Sequence, residues 1–199
     1  MRASPNLDFV VEIEIKAKHL AFASAIEALR QATVRTELNL EQIPAPVKLA
    51  PDAVAFAASV HSPEAGDSLD LGTGRFVLLH DPKPQDQWGG NFRIVAFAKS
   101  PLETFIGAES MITEVAWSWL HDALHQRGAQ FSHEAGTATR VISQGFGSLS
   151  GHSDHAELEL RVSWSPANQF DAHLEAWQDL ICMMAGLPNL PERVSKLPV

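Results

Sequence analysis

The chain has 199 residues, the size of one domain or of a domain with extensions. Apolar residues make up 45% and charged residues 20%, a balance that excludes intrinsic disorder. Fifteen basic against 24 acidic side chains leave a formal charge of −9, which argues against a general affinity for nucleic-acid backbone or anionic lipid. A local basic patch or a specific protein partner is still compatible with that charge. The one cysteine, Cys182, excludes an intramolecular disulfide and fits a reducing compartment. No apolar run approaches the roughly 20 residues of a spanning helix. The start, Met1-Arg2-Ala3-Ser4-Pro5, lacks an apolar signal core. The expectation is a soluble cytoplasmic domain.

In residues 9–17, Phe9, Val11, Ile13 and Ile15 alternate with Glu12, Glu14 and Lys16. Period two suggests a strand, but the Glu and Lys content leaves a helical extension equally open. Over 19–37, Phe22, Ala25, Ile26, Leu29 and Thr33 recur at spacings of three and four, which predicts a helix. Ile43-Pro44-Ala45-Pro46 stops it, because proline disfavours helical geometry in the residue before it. Residues 53–60 read as a short helix or a strand, and 61–73 as a loop rich in Ser, Asp, Gly and Pro. Strands follow at 75–80 and 91–98, joined by the turn-rich stretch 81–90 into an antiparallel hairpin.

A strong helix is predicted over 111–127, with Ile112, Val115, Ala116, Trp119, Leu120, Ala123 and Leu124 on one arc and Gly128 as its stop. Strands are predicted at 136–144 and 155–164. In the second, Ala156, Leu158, Leu160, Val162 and Trp164 alternate with Glu157, Glu159, Arg161 and Ser163. A last helix over 168–185 carries Phe170, Leu174, Trp177, Ile181 and Met184. Strands come in pairs, so the expected class is α+β: a mainly antiparallel sheet of four to five strands with three main helices. The expected division is an extension over 1–18, one domain over 19–190 and a tail over 191–199.

Chemistry-bearing residues are scattered. His121 and His125 share a helix face at i and i+4, a spacing that can bind metal, but His-Asp-Ala-Leu-His lacks the Glu of the metalloprotease pattern. His152 and His155 flank Ser153-Asp154 in a loop without further ligands at fixed spacing. No metal and no cofactor is therefore expected. Gly145-x-Gly147 leads to a strand and has Ser150 where a dinucleotide site needs glycine. Cys182, beside Ile181, Met183 and Met184, reads as a buried, inert thiol. Candidates for catalysis are His80, Asp81, Arg140 and His173, with His173 also reading as a core-edge histidine held by a hydrogen bond. Of five tryptophans, Trp119, Trp164 and Trp177 fall on apolar faces. Trp88 in a loop and Trp117 at the margin of its arc are the candidates for an interface.

The order of short motifs resembles a known family. It begins with Ile43-Pro44-Ala45-Pro46-Val47-Lys48-Leu49-Ala50-Pro51, then Gly74-Arg75-Phe76-Val77-Leu78-Leu79-His80-Asp81-Pro82 and Trp88-Gly89. Trp117-Ser118-Trp119-Leu120, Gly136-Thr137-Ala138-Thr139-Arg140, Phe146-Gly147 and Val162-Ser163-Trp164-Ser165-Pro166 follow. His173-Leu174-Glu175-Ala176-Trp177 and Ala185-Gly186-Leu187-Pro188 complete the set. Together they resemble the actinobacterial family called domain of unknown function 3000, over about residues 20–190, while the first 18 residues depart from its pattern. The resemblance implies a cytoplasmic actinobacterial protein and carries no activity and no site residues across.

The functional expectation is a non-enzymatic interaction or accessory module with an unidentified protein partner. By analogy of element order it looks similar to secretion-chaperone-like folds. The alternatives are a small-ligand binder or enzyme, and an accessory to nucleic-acid processing. The last needs a basic patch that Arg127, Arg140 and Arg161 are too scattered to promise, so neither a nucleic acid nor a membrane is expected as partner. One feature favours assembly. Both faces of the hairpin are apolar, with Phe76 and Leu78 against Val77 and Leu79, and Phe92, Ile94 and Ala96 against Val95 and Phe97. Strands apolar on both sides are covered on both sides. Two helices cover one face, so residues 9–38 or a second copy in a homodimer should cover the other.

Overall fold

A computed structural model describes residues 20–61, 70–103, 109–150 and 155–187. The readings of residues 9–17, of most of the 61–73 loop, of His152 and of the tail lie outside the described residues. Helix α1 (20–31) leads into strands β1 (Leu38–Ile43), β2 (Asp52–His61), β3 (Asp70–Gln85) and β4 (Gly90–Leu102). Helix α2 (Ile112–Gln126), strands β5 (Phe131–Ser143) and β6 (His155–Pro166), and helix α3 (Phe170–Met184) complete the chain. The class is α+β, with three α-helices and one six-stranded sheet among the described residues, in the order β1-β2-β3-β4-β6-β5. Every neighbouring pair is antiparallel. β5 is laid down at the far edge, and β6 returns to fill the gap beside β4.

The sheet has six strands, not four to five. The strand missed is β1, Leu-Asn-Leu-Glu-Gln-Ile, whose Asn, Glu and Gln are poor strand formers. It forms because pairing with β2 satisfies its backbone along one edge and turns Leu38 and Leu40 toward the helices. Residues 53–60, left open between helix and strand, belong to β2. Nor does the first helix reach residue 37. Beyond residue 31 the backbone donors find partners on α3: Thr33 N–H donates to Glu175 Oε1 (2.7 Å) and Arg35 N–H to Gln178 Oε1 (3.0 Å). Those bonds replace the helical ladder and steer the chain into β1.

All three helices pack on one side. Ala25 and Leu29 of α1, Ala116, Leu120 and Leu124 of α2, and Leu174, Trp177 and Ile181 of α3 join a single core with Phe76, Leu78, Ile94, Leu160 and Trp164. α3 is buried nearly all round because it lies between the sheet and the other helices. It comes close to β3 at Gly74, where an added Cβ would stand 2.5 Å from Ile181 Cδ1, 2.8 Å from the Phe97 carbonyl and 2.9 Å from Trp177 Cζ2. The Trp177 indole N–H then reaches the Phe97 carbonyl at 3.2 Å.

A buried ionic knot locks the helices. Arg127, just past α2, donates Nε and Nη2 to the Asp179 carboxylate (2.6 and 3.1 Å) and Nη1 to Glu175 (3.0 Å). Arg35 donates to Asp179 (3.1 Å) and to Glu37 (2.6 Å). The hydrogen bond from Arg35 holds the Glu37 carboxyl below its ordinary range. The Asp179 side chain is 2% exposed, and removing it would leave Arg127 with Glu175 and Arg35 with Glu37, at a cost of about 1.5–3 kcal/mol for the lost charged hydrogen bonds.

Because α1 lies with α2 and α3, described residues 20–38 do not cover the second face of the sheet, contrary to part of the expectation above. That face is built from the odd-numbered residues of the four central strands. Among the described residues, no helix is long and apolar enough to cross a membrane.

Candidate functional site

The four catalytic candidates are held by different neighbours, and none is hydrogen-bonded to another of the four. His80 is buried on the helix side, its Nδ1 2.9 Å from Asp52 Oδ2 rather than from Asp81. Its ring stacks on Phe22 (centroids 5.6 Å) and leans on Phe92 (4.5 Å). Asp81 accepts from the Lys83 backbone N–H (2.8 Å) and the Gln85 amide (2.7 Å), which shapes the start of the hairpin turn. Arg140 is exposed on β5 and donates to the Glu109 carbonyl (2.8 Å). His173 is fully buried and accepts the Trp164 indole N–H on Nδ1 (3.1 Å), so its own proton sits on Nε2.

His121 and His125 sit with ring centroids 6.3 Å apart, both against Phe131. His155 opens β6, opposite Ser143. Among the described residues, no group of three or more His, Cys, Asp or Glu side chains could hold a metal ion. Trp88 is half-buried in the β3–β4 turn. Trp117 packs on β5, its ring within 2.8 Å of where a Cβ on Gly136 would stand. Cys182 is a buried free thiol whose pKa burial pushes up to about 12, so it is not poised as a nucleophile.

The uncovered face of the sheet is different in kind. Antiparallel register aligns Glu41, Ala57, Arg75, Phe97, Arg161 and Thr137 in one row across all six strands. The next row brings Ile43, Ala55, Val77, Val95, Ser163 and Ala135 together. Period two therefore sets an apolar floor of Val77, Val95 and Phe97 between two arginines. Two depressions of about 620 and 610 Å³ lie here, lined by sheet residues alone and sharing Arg75, Phe97 and Arg161.

The cations of this face are unequally held. Arg161 lies over the Phe97 ring, 4.9 Å from its centroid, and pairs with Glu159 at 2.9 Å. Lys99 pairs with Glu157 at 2.8 Å. Arg75 is exposed, with no hydrogen bond or ion pair among the described residues. Arg93, one row further along, is 9% exposed and meets only neutral acceptors: the His133 carbonyl (2.7 Å), Ser165 Oγ (3.1 Å) and Ser163 Oγ (2.7 Å). Burial without a counter-ion lowers its pKa.

Residue-by-residue reading missed this surface. Its signal was present in the hairpin, apolar on both sides, but which charges would line up beside it depends on the register of six strands.

The family model described as "Protein of unknown function (DUF3000)" matches residues 18–195. No curated protein matches the chain, and no solved structure matches it.

Proposed function

We propose that this chain, which belongs to the DUF3000 family, is a non-enzymatic protein-interaction module that presents the uncovered face of its sheet to a partner. The carrying observation is that Val77, Val95 and Phe97 lie side by side on a face that no described element covers. A contiguous apolar floor rimmed by charges is the composition of a docking surface. The face is broad and shallow, which suits a polypeptide better than a small molecule. The acidic charge and the single buried thiol fit a cytoplasmic location.

A second reading, a small-ligand binder or enzyme, draws on the size of the two depressions, which falls within the range of small-molecule sites. A homodimer would use the same face, and an accessory role in nucleic-acid processing would use its arginines.

Site-specific photocrosslinking in the source organism tests the leading reading. A benzophenone amino acid at Val95 should give a covalent adduct with another protein. The same group at exposed Glu114, on the outer side of α2, should give none. No adduct from Val95 or from neighbouring Val77 would overturn the proposal.

A further inference from the structure

The uncovered face carries four cations in its aligned rows, Arg75, Arg93, Lys99 and Arg161, against the carboxylates Glu41, Glu157 and Glu159. Four cations against three carboxylates leave the face at +1 on a chain of charge −9. Lys99 and Arg161 are paired with Glu157 and Glu159. Arg75 and Arg93 meet no carboxylate among the described residues. The geometry points to an extended peptide as occupant, one that sets an apolar side chain between two carboxylates on the same side of its backbone. This rests on the reading of the face as an interaction surface and adds the chemistry of the partner.

The register supplies the spacing. Arg75, Phe97 and Arg161 stand on three adjacent strands in one row, so the two arginine backbones lie about 5 Å to either side of that of Phe97. An extended peptide shows alternate residues on one side, about 7 Å apart. An acid-x-apolar-x-acid run therefore seats its apolar residue over Val95 and the part of Phe97 that Arg161 leaves open, and sends a carboxylate toward each guanidinium. Long side chains at both partners close the small mismatch. Arginine suits the task because its fork meets a carboxylate through two hydrogen bonds.

Charge argues against the other occupants. A second copy would bring the same excess of cations against this one. A nucleic acid would place continuous negative charge beside Glu41, Glu157 and Glu159. The chain's own residues 9–17, if extended, put Phe9, Val11, Ile13 and Ile15 on one side and Glu12 and Glu14 on the other, so neither side offers both chemistries.

Fluorescence anisotropy with the full chain tests this directly. The probe is a fluorescein-labelled peptide built on Glu-Ser-Phe-Ser-Glu, beside a Lys-Ser-Phe-Ser-Lys counterpart and a labelled oligouridine of matched length. The acidic peptide should bind at least about tenfold more tightly than the basic one, and raising salt from about 0.05 to about 0.5 M should weaken it severalfold. Arg75→Glu should weaken binding by about tenfold or more and Arg75→Lys by less, with both variants melting close to the wild-type temperature because Arg75 makes no hydrogen bond or ion pair among the described residues. Four results would each overturn the inference: no preference for the acidic peptide, tighter binding of oligouridine, tighter binding of a peptide of residues 8–17, or a light-scattering mass of twice 21.7 kDa that Arg75→Glu abolishes. Failure here with a Val95 crosslink intact would leave the interaction surface standing and refute only the acidic partner.

Discussion

His173 shows how a polar residue is tolerated in this core. Trp164 donates to Nδ1, and Nε2, which then carries the proton, has no hydrogen-bond partner among the described residues. Burial lowers its pKa from 6.5 to about 4, and the nearby Asn168 and Gln130 carbonyls only partly offset that. The native state therefore holds a neutral imidazole while the unfolded chain takes up a proton below 6.5. Stability is complete above that pH and falls as pH drops toward the folded value. Between pH 7 and pH 5 the loss from this residue should be about 2 kcal/mol, by the conversion of about 1.4 kcal/mol per pKa unit. Urea unfolding at the two pH values should show it, and His173→Gln should remove most of the pH dependence in that window. An equal slope in the variant would refute the assignment. The sequence placed His173 at the core edge with a hydrogen bond, but its partner, Trp164, comes from a strand that only the fold brings under α3.

At the scale of elements, the approach of α3 to β3 depends on Gly74. A methyl group there would meet Ile181, the Phe97 carbonyl and Trp177, all closer than 3.0 Å. Ile181 Cδ1 is the end of a flexible side chain and can turn away. The Phe97 carbonyl belongs to β4 and cannot move without disturbing the ladder with β3. Gly74→Ala should therefore destabilise by overpacking, by about 1–3 kcal/mol. A shift of the urea midpoint measures it, and a variant as stable as wild type would show that α3 can lift without penalty. In the sequence Gly74 reads only as the first residue of one family motif, between the 61–73 loop and the 75–80 strand. The need for glycine arises from Trp177 and Ile181, more than 100 residues later in the chain.

For the whole molecule, the absence of a metal is a prediction about the purified protein. Neither His121 with His125 nor His155 gathers a third ligand among the described residues, and a stable site for zinc needs three or four. Untagged protein should contain less than about one zinc, nickel or iron per ten chains by elemental analysis, the level of an empty site. About one per chain would refute this, and alanine at His121 or His152 would locate the ion.

Local pattern was enough for the elements with strong periodicity. The strand around Leu158 and Leu160, and the helices around Leu120 and Trp177, were legible because alternate or three-and-four spacing follows from one-sided burial. The α+β class follows from strands arriving in pairs, and the family from the order of short motifs. β1 was not legible, because Asn39, Glu41 and Gln42 favour no strand until β2 offers an edge. The Asp179 knot was not legible either, since its arginines stand 144 and 52 residues away in sequence. The hairpin, apolar on both sides, also led to the expectation of a cover for each sheet face. Tertiary structure decided that α1 does not provide the second, and that Arg75, Phe97 and Arg161 stand in one row, because register across six strands is a property of pairing and not of any one segment.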